Sequence, residues 1–138
     1  MDVTLTSFGA AEGCIRLVRD AVFGAEQHVP RMLDWDGRDA ACVHALATDE
    51  RGAPVGTGRL LPDGRIGRLA VLAPWRGRGV GARLLESLLA AARDRGHASV
   101  HLHAQVGAAP FYECHGFARQ GAEFDEAGIR HVHMTRPL

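Results

Sequence analysis

The chain has 138 residues, 46% of them hydrophobic, which is enough for one core and too few for two ordinary domains. We therefore expect a single domain, 1–138. Sixteen basic and sixteen acidic residues cancel, which argues against nucleic acid or an anionic membrane as the main partner. Residues 1–13 lack a basic region followed by an apolar one, and no apolar run approaches the roughly 20 residues of a membrane span, so we expect a soluble protein that is not exported.

The cysteine content is typical of a reducing compartment. Cys14, Cys42 and Cys114 are odd in number and far apart, and no C-x-x-C pair occurs. This pattern fits free thiols better than a disulfide framework or a thiolate metal site. We expect a cytoplasmic protein.

Hydrophobic periodicity predicts an alternation of strands and helices. The first half is predicted to contain a strand at 2–7, a helix at about 10–23, an irregular segment at 24–40, and a meander of strands at 41–48, 55–61 and 65–72. The second half is predicted to contain a long helix at 79–95, a strand at 98–104, a short helix at 107–115, and strands at 117–121 and 130–136 joined by a loop at 122–129.

The order of these elements predicts the fold class. A strand, helix and strand in succession after residue 65 require a parallel crossover, whereas the meander before it is antiparallel. We therefore expect an α/β (α+β) fold with one mixed, mostly antiparallel twisted sheet of about six or seven strands and helices on both faces.

A glycine-rich segment, "WRGRGVGARLL" at 75–85, runs directly into the predicted long helix. The start of a helix carries free N–H groups and partial positive charge, which suit an anion such as phosphate. Glycines let the main chain approach that anion, and arginines add forked donors. A plain turn with solvated arginines explains the segment equally well. A Walker loop fits poorly, because Ala82 and Arg83 follow the last glycine where that loop requires lysine and then serine or threonine. A dinucleotide fingerprint also fits poorly, because its glycines are spaced G-x-G-x-x-G and these are spaced G-x-G-x-G.

Two motifs resemble those of the GNAT family of N-acetyltransferases. "RGRGVG" at 76–81 is similar to its R/Q-x-x-G-x-G/A signature, and "AAPFYECHGF" at 108–117 is similar to its A-x-x-x-Y-x-x-x-G-F segment. The predicted order of elements is also that of the family, so the resemblance covers nearly the whole chain. "VFGAEQHVP", "LHAQ" and "FDEAGIRHVHM" resemble the small bacterial ElaA-like or YjcF-like subgroup.

The resemblance implies acetyl-CoA as co-substrate. Its pyrophosphate is expected on the backbone of the glycine loop, its pantetheine arm beside the strand at 65–72, and its thioester in a gap where that strand splays from the strand at 98–104. Gln105 stands where many family members have asparagine. Leu69 and Val71 would pair with the pantetheine arm through their main chain, which is compatible with packing of their side chains in the core. The implied coenzyme-binding residues are Leu69, Val71, Arg76, Gly77, Arg78, Gly79, Val80, Gly81, Ala82, Gln105, Ala108 and Tyr112.

The family chemistry assigns expected roles to a few side chains. Tyr112 occupies the position of the general acid that protonates the departing thiolate, and a backbone N–H near Val71 would contact the thioester oxygen. Alternatively, Tyr112 packs beside Phe111 as an ordinary helix aromatic.

The proton acceptor is left open by the sequence. An ammonium with a pKa of about 10 must lose a proton before it attacks, which requires a carboxylate or histidine. Glu26 and His131 are the candidates for this base, and Gln27 and Asp34 are further candidates on the substrate side. Ordinary surface positions explain all four equally well. Acidic residues in the two predicted loops suggest a cationic acceptor, although a solvated surface accounts for them too: Asp34, Asp36, Asp39, Glu123, Asp125 and Glu126.

Two H-x-H pairs, His101 with His103 and His131 with His133, place rings on one face of a strand. Such rings can bind zinc, but strand histidines more often pack or form hydrogen bonds. We expect no metal.

The resemblance therefore implies an N-acetyltransferase that moves an acetyl group from acetyl-CoA to a primary amine of a small molecule or peptide by direct attack in a ternary complex. The alternative is a non-catalytic acyl-CoA-binding sensor or regulatory module, since a fold alone does not establish activity. No nucleic acid or membrane is expected as a partner, and the resemblance also admits a homodimer.

Overall fold

The computed structural model describes residues 1–138. Its strands are β1 (Asp2–Thr6), β2 (Val43–Thr48), β3 (Pro54–Leu60), β4 (Ile66–Val71), β5 (Ser99–Gln105), β6 (Ala118–Glu126) and β7 (Ile129–Pro137). Its helices are α1 (Phe8–Arg19), α2 (Arg31–Asp34), α3 (Val80–Asp94) and α4 (Ala109–Cys114), and a π-helical turn, Asp20–Glu26, continues α1. The expected mixed fold with about seven strands is confirmed. None of the helices is both long and apolar enough to cross a bilayer.

The strands form two hydrogen-bonded groups that meet at one point. The first group has the order β1-β2-β3-β4 and the second the order β5-β7-β6, and all pairs within them are antiparallel. β4 and β5 are linked only by a parallel bridge between Arg65 and His101, just before β4 begins. Beyond that bridge they diverge, so a gap opens between the two halves of the sheet.

Helices cover both faces of the first strand group. The α3 side chains Leu84, Leu85 and Leu88 are fully buried in the main core. Glycine in β3 lets α3 approach closely, because a Cβ added at Gly56 would lie 2.9 Å from Leu84 Cδ1. Arg59 of the same strand belongs to the opposite face, where it shares Asp39 with Arg19 of α1. Burial of each leucine contributes about 1.5–3 kcal/mol.

The N-terminal helix differs from its predicted bounds. It begins at Phe8 because Ser7 caps it, the Ser7 Oγ accepting a hydrogen bond from the Ala10 N–H at 3.2 Å. The π-helical turn then carries the chain to Glu26, and the segment predicted as irregular contains α2 and a 3₁₀ turn, Asp39–Ala41. That turn delays β2, predicted from 41, until Val43.

The predicted loop at 122–129 is wrong. β6 extends to Glu126, and only Ala127 and Gly128 form the connection to β7. Both have positive φ, 53° and 77°, as a two-residue type I′ hairpin turn requires. A register shift between Gln120 and Phe124 breaks the alternation of the strand, which is why its periodicity was not visible in the sequence.

Candidate active site

A cavity of about 820 Å³ occupies the gap between β4 and β5 and extends from the start of α3 to the hairpin between β6 and β7. The predicted coenzyme residues that line it are Leu69, Val71, Arg76, Gly77, Gly79, Val80, Gly81, Ala82, Gln105, Ala108 and Tyr112. The predicted catalytic and substrate-side residues Glu26, Gln27, Asp34 and His131 also line it. Arg78 does not, and its guanidinium lies 5.0 Å from the centre of the Trp75 ring.

The glycine loop presents a row of free donors at one end of this cavity. No backbone N–H between 77 and 82 donates to a backbone carbonyl, and the first main-chain bond of α3 is from Arg83 N–H to Gly79 O at 3.1 Å. Gly77 and Gly79 have φ of 75° and 80°, and no atom lies within 4 Å of the Cβ that a larger residue would carry there. Free N–H groups at a helix start, with open space at Gly77 and Gly79, are the kind of arrangement that suits an anion such as pyrophosphate.

Arg76 connects this loop to the π-helical turn. Its two terminal nitrogens donate to the two Glu26 carboxylate oxygens at 2.6 Å each, and its Nε donates to the Val71 carbonyl at 2.9 Å. The hydrogen bond from Arg76 lowers the pKa of Glu26. A carboxylate with a lowered pKa and a bound guanidinium is a weak proton acceptor, so the geometry disfavours Glu26 as the base.

A bulge in β4 shapes the wall of the gap. Thr57 pairs with Ala70 and Arg59 pairs with Gly67, so β4 has one more residue than β3 in this stretch. Arg68 within the bulge has φ of 50°, and its guanidinium is held by the Leu33 carbonyl at 2.8 Å. This contact stabilises an otherwise strained backbone.

The main chain of Val71 faces the gap. Leu72 N–H donates to the Val55 carbonyl, so the pair of Val55 and Leu72 carries the ladder hydrogen bond. The next pair along, Gly56 with Val71, is then a non-hydrogen-bonded pair in an antiparallel ladder. The Val71 N–H and carbonyl therefore point away from β3, toward β5, where a substrate amide or a thioester oxygen can reach them.

Tyr112 lies on α4 at the wall of the same cavity. Its ring packs edge-on against Phe111, with centroids 5.1 Å apart, and against Phe117 at 5.8 Å. Burial raises the pKa of Tyr112 to about 12, so the phenol keeps its proton at neutral pH. The interpretations of Tyr112 as a packed aromatic and as a general acid are thus compatible, because Tyr112 both packs against its aromatic neighbours and lines the cavity.

Gln27 and Gln105 meet across the cavity. Gln105 Nε2 donates to Gln27 Oε1 at 2.9 Å, joining the end of β5 to the residue after the π-helical turn. A residue predicted for the coenzyme arm and one predicted for the substrate side therefore share one hydrogen bond.

Asp34 is part of a buried ion cluster. Its Oδ1 accepts from Arg19 at 2.8 Å, and Asp39 accepts from Arg19 at 2.6 Å and from Arg59 at 3.0 Å. The side chains of Arg19 and Asp34 are only 1% and 4% exposed. The charge of Asp34 is thus neutralised inside the protein, which disfavours Asp34 as a ligand of the acceptor amine. Asp36 also belongs to the cluster, through Arg59 at 2.6 Å.

The outer part of β6 does not contribute to the cavity. Glu123 and Asp125 lie 3.6 and 3.7 Å from Arg130 and do not line the cavity, whereas Glu126 lines it. Of the six acidic residues noted in the sequence, the cavity is lined by Asp34, Asp36 and Glu126.

The histidine pairs lie on neighbouring strands. His103 and His133 are direct partners in the ladder between β5 and β7, with ring centroids 5.6 Å apart, and His101 lies 6.0 Å from His133. His131 instead stacks on Phe124 at 6.0 Å. No group of three or more histidine, cysteine or acidic side chains has the arrangement needed to hold a metal ion.

Comparison with known proteins identifies the family. The model of the acetyltransferase (GNAT) domain matches residues 9–138. The chain is 37% identical over 123 residues to the uncharacterized N-acetyltransferase YjcF of Bacillus subtilis, a match covering 86% of this chain and 87% of YjcF. The chain belongs to the GNAT acetyltransferase family. It is therefore an acetyl-CoA-dependent acyltransferase, similar to the ElaA-like and YjcF-like members.

Solved GNAT structures share this architecture. Escherichia coli ElaA superposes with a TM-score of 0.88 at 27% identity over 99% of both chains. An acyl-CoA N-acyltransferase from Pseudomonas aeruginosa superposes with a TM-score of 0.86 at 28% identity, again over 99% of both chains.

Some polar residues of the GNAT cavity were not predicted as coenzyme or acceptor residues, although His103 had been noted in an H-x-H pair. Arg65 and His103 line the cavity beside Glu126. Alternation along β5 places His103 and Gln105 on one face, so the assignment of Gln105 to the site was a usable signal for His103. Arg65 precedes β4 and had no such signal.

Proposed function

We propose that this GNAT protein is an N-acetyltransferase that transfers the acetyl group of acetyl-CoA to a primary amine of a small molecule or peptide, by direct attack in a ternary complex. The observation that carries the proposal is the continuity of one cavity. Its lining includes the free N–H groups of the glycine loop, the outward main chain of Val71, Tyr112 and the polar residues near the β6–β7 hairpin.

The donor end of the cavity fits acyl-CoA. The residues from Arg76 to Ala82 would hold the pyrophosphate, and the outward main chain of β4 would pair with the amide groups of the pantetheine arm. Bound there, acetyl-CoA supplies an activated acetyl thioester. Arg76 must release the Val71 carbonyl if an amide N–H of the arm is to use that acceptor.

Direct attack is supported by the absence of a suitable nucleophile. Cys14, Cys42 and Cys114 are free thiols, and none of them lines the cavity. A covalent acetyl-enzyme route through cysteine therefore has no group to use.

The residues present account for every proton. Two protons leave the substrate ammonium as its nitrogen becomes an amide nitrogen. His131 accepts the first, which frees the lone pair that forms the C–N bond, and this proton passes to solvent. The Val71 N–H donates to the thioester oxygen as its negative charge grows. Tyr112 donates its proton to the sulfur as the C–S bond breaks, and the second proton of the substrate nitrogen restores the phenol.

The direct experiment measures thiol release from acetyl-CoA with spermidine, Nα-acetyl-lysine amide and kanamycin as acceptors, together with mass spectrometry of the acetylated products. We expect acceptor-dependent release with at least one of them. Calorimetric binding of acetyl-CoA without turnover on any amine would instead favour the acyl-CoA-binding sensor.

A further inference from the structure

A carboxylate flanked by two histidines lies at the end of the cavity next to the hairpin between β6 and β7. Glu126 ends β6, and its Oε1 lies 3.1 Å from His103 Nδ1, which also lies 3.2 Å from Arg65 Nη2. Its other oxygen, Oε2, faces His131 Nε2 at 3.6 Å. Glu126, His103 and His131 all line the cavity, and the mechanism above leaves Glu126 without a role.

The hydrogen bonds of His131 determine which ring nitrogen is open. Its Nδ1 lies 2.7 Å from the Ile129 carbonyl, which can only accept, so Nδ1 carries the hydrogen. In the neutral ring the lone pair is then on Nε2. Both Nε2 and the Glu126 Oε2 are acceptors, and 3.6 Å is too long for a hydrogen bond between them. A group that donates hydrogen bonds to both Glu126 Oε2 and His131 Nε2 can bridge them, and an ammonium has three N–H groups with which to do so.

The charge of Glu126 suits such a donor. Partial burial alone would raise the pKa of Glu126, but its contacts with His103 and His131 and the nearby guanidinium of Arg65 lower that pKa overall. The carboxylate is therefore ionised at neutral pH. Arg65 Nη2 lies 3.8 Å from Oε1, on the side already occupied by His103, which leaves Oε2 open toward His131.

Aromatic packing surrounds the two histidine rings. Phe124 stacks on His131 and meets His103 edge-on at 5.1 Å. His133 is the next inward residue of β7, and burial together with the charges of its neighbours lowers its pKa, so its ring is neutral at neutral pH. Apolar side chains of Val29 and Leu33 line the same cavity.

We propose that Glu126 Oε2 and His131 Nε2 together form the binding site for the ammonium of an alkylamine acceptor, with Glu126 as its anionic anchor. This inference rests on the proposed function. One N–H bond of the bound ammonium breaks and an Nε2–H bond forms on His131. Glu126 then stabilises the imidazolium, and the amine keeps the electron pair with which it attacks.

Binding of a minimal probe tests this site independently of acetyl transfer. The protein loaded with coenzyme A is titrated with n-butylammonium, and separately with uncharged 1-butanol, while NMR follows the imidazole signals of His131. The variants are Glu126→Gln and the matched control Glu123→Gln, which removes the same charge from an outward position of the same strand. The backbone amide spectrum checks that each variant is folded.

We expect a saturable shift of the His131 signals with n-butylammonium and none with 1-butanol. Affinity for n-butylammonium should fall at least fivefold in Glu126→Gln and stay within twofold in Glu123→Gln. The absence of a saturable shift, or equal affinity in Glu126→Gln, overturns the inference. If n-butylammonium binds as expected but no amine is acetylated, the proposed function fails and the binding site stands. If amines are acetylated while Glu126→Gln binds normally, the inference alone fails.

Discussion

Glu26 and Arg76 are joined by two hydrogen bonds of 2.6 Å each, although they are fifty positions apart in the chain. The same guanidinium donates to the Val71 carbonyl at 2.9 Å, on the strand expected to pair with the pantetheine arm. Glu26 thus holds Arg76 on the Val71 carbonyl, which the pantetheine arm would also use as a hydrogen-bond acceptor. The carboxylate of Glu26 lines the same cavity.

Replacing Glu26 with glutamine should tighten acetyl-CoA binding about two- to fivefold, because breaking an exposed ion pair changes an equilibrium only modestly. Arg76 becomes free to leave Val71, and a negative charge near the phosphates is removed. Calorimetry at low ionic strength measures the affinity. Glu12→Gln, which breaks the similarly exposed pair with Arg16 away from the cavity, is the control. Weaker binding in Glu26→Gln would show that Glu26 supports the coenzyme.

Replacing Gly79 with alanine should weaken both folding and coenzyme binding. Alanine is strained at φ of 80° by about 1–2 kcal/mol, and relief of that strain would turn the free N–H groups of the loop away from the phosphates. Gly96→Ala is a matched control, since Gly96 has φ of 81° with open space around it but does not line the cavity. Both variants should lose similar stability in urea, and only Gly79→Ala should lose acetyl-CoA affinity. Equal affinity in the two variants would remove the loop from the binding site.

Tyr112→Phe should lower kcat by about 100-fold, at the lower end of general acid catalysis, because a thiolate is a moderately good leaving group. Acetyl-CoA affinity should be largely kept, since the ring still packs against Phe111 and Phe117. The pKa of Tyr112 is raised to about 12, so the wild type should keep its acid form, and its kcat, up to a pH of about 10. Steady-state kinetics over this pH range checks both expectations, and an unchanged kcat in the variant would exclude Tyr112 from the mechanism.

Arg19→Met should destabilise the protein by about 3–5 kcal/mol. It removes the arginine that Asp34 and Asp39 share inside the protein, and breaking a buried ion pair is costly. Asp39 keeps Arg59 at 3.0 Å, and Asp34 keeps Arg68 at 3.4 Å. Urea unfolding at neutral pH measures the change. Arg31→Met removes the same charge from a side chain that is 73% exposed, and it should alter stability by less than about 0.5 kcal/mol. A similar, small effect of both substitutions would mean that the cluster adds little to stability.

The sequence predicted well those features that depend on neighbouring residues. The stripe of leucines in α3, the glycines before it and the position of Tyr112 after it are local patterns, and they led to the fold and to the family. The expectation of one domain over 1–138 stays a prediction, as do the acceptor amine, a cytoplasmic location and any homodimer.

Features that depend on strand register could not be predicted in the same way. The bulge after Gln120 concealed the end of β6, and with it the position of Glu126 inside the cavity. A shift of one residue in a strand moves a side chain to the other face, so no local pattern separates Glu126 from its outward neighbour Asp125.

By itself the sequence determined the architecture and the glycine loop at the start of α3, because hydrophobic period and glycine spacing act within a few residues of one another. Tertiary structure alone decided which charged groups are free. It neutralised Asp34 with a buried arginine, paired Glu26 with Arg76, and left Glu126 Oε2 facing His131 Nε2. Those outcomes depend on contacts between segments that are distant in the chain. The interaction energy of two charges decreases with the distance between them, and only the folded structure sets that distance.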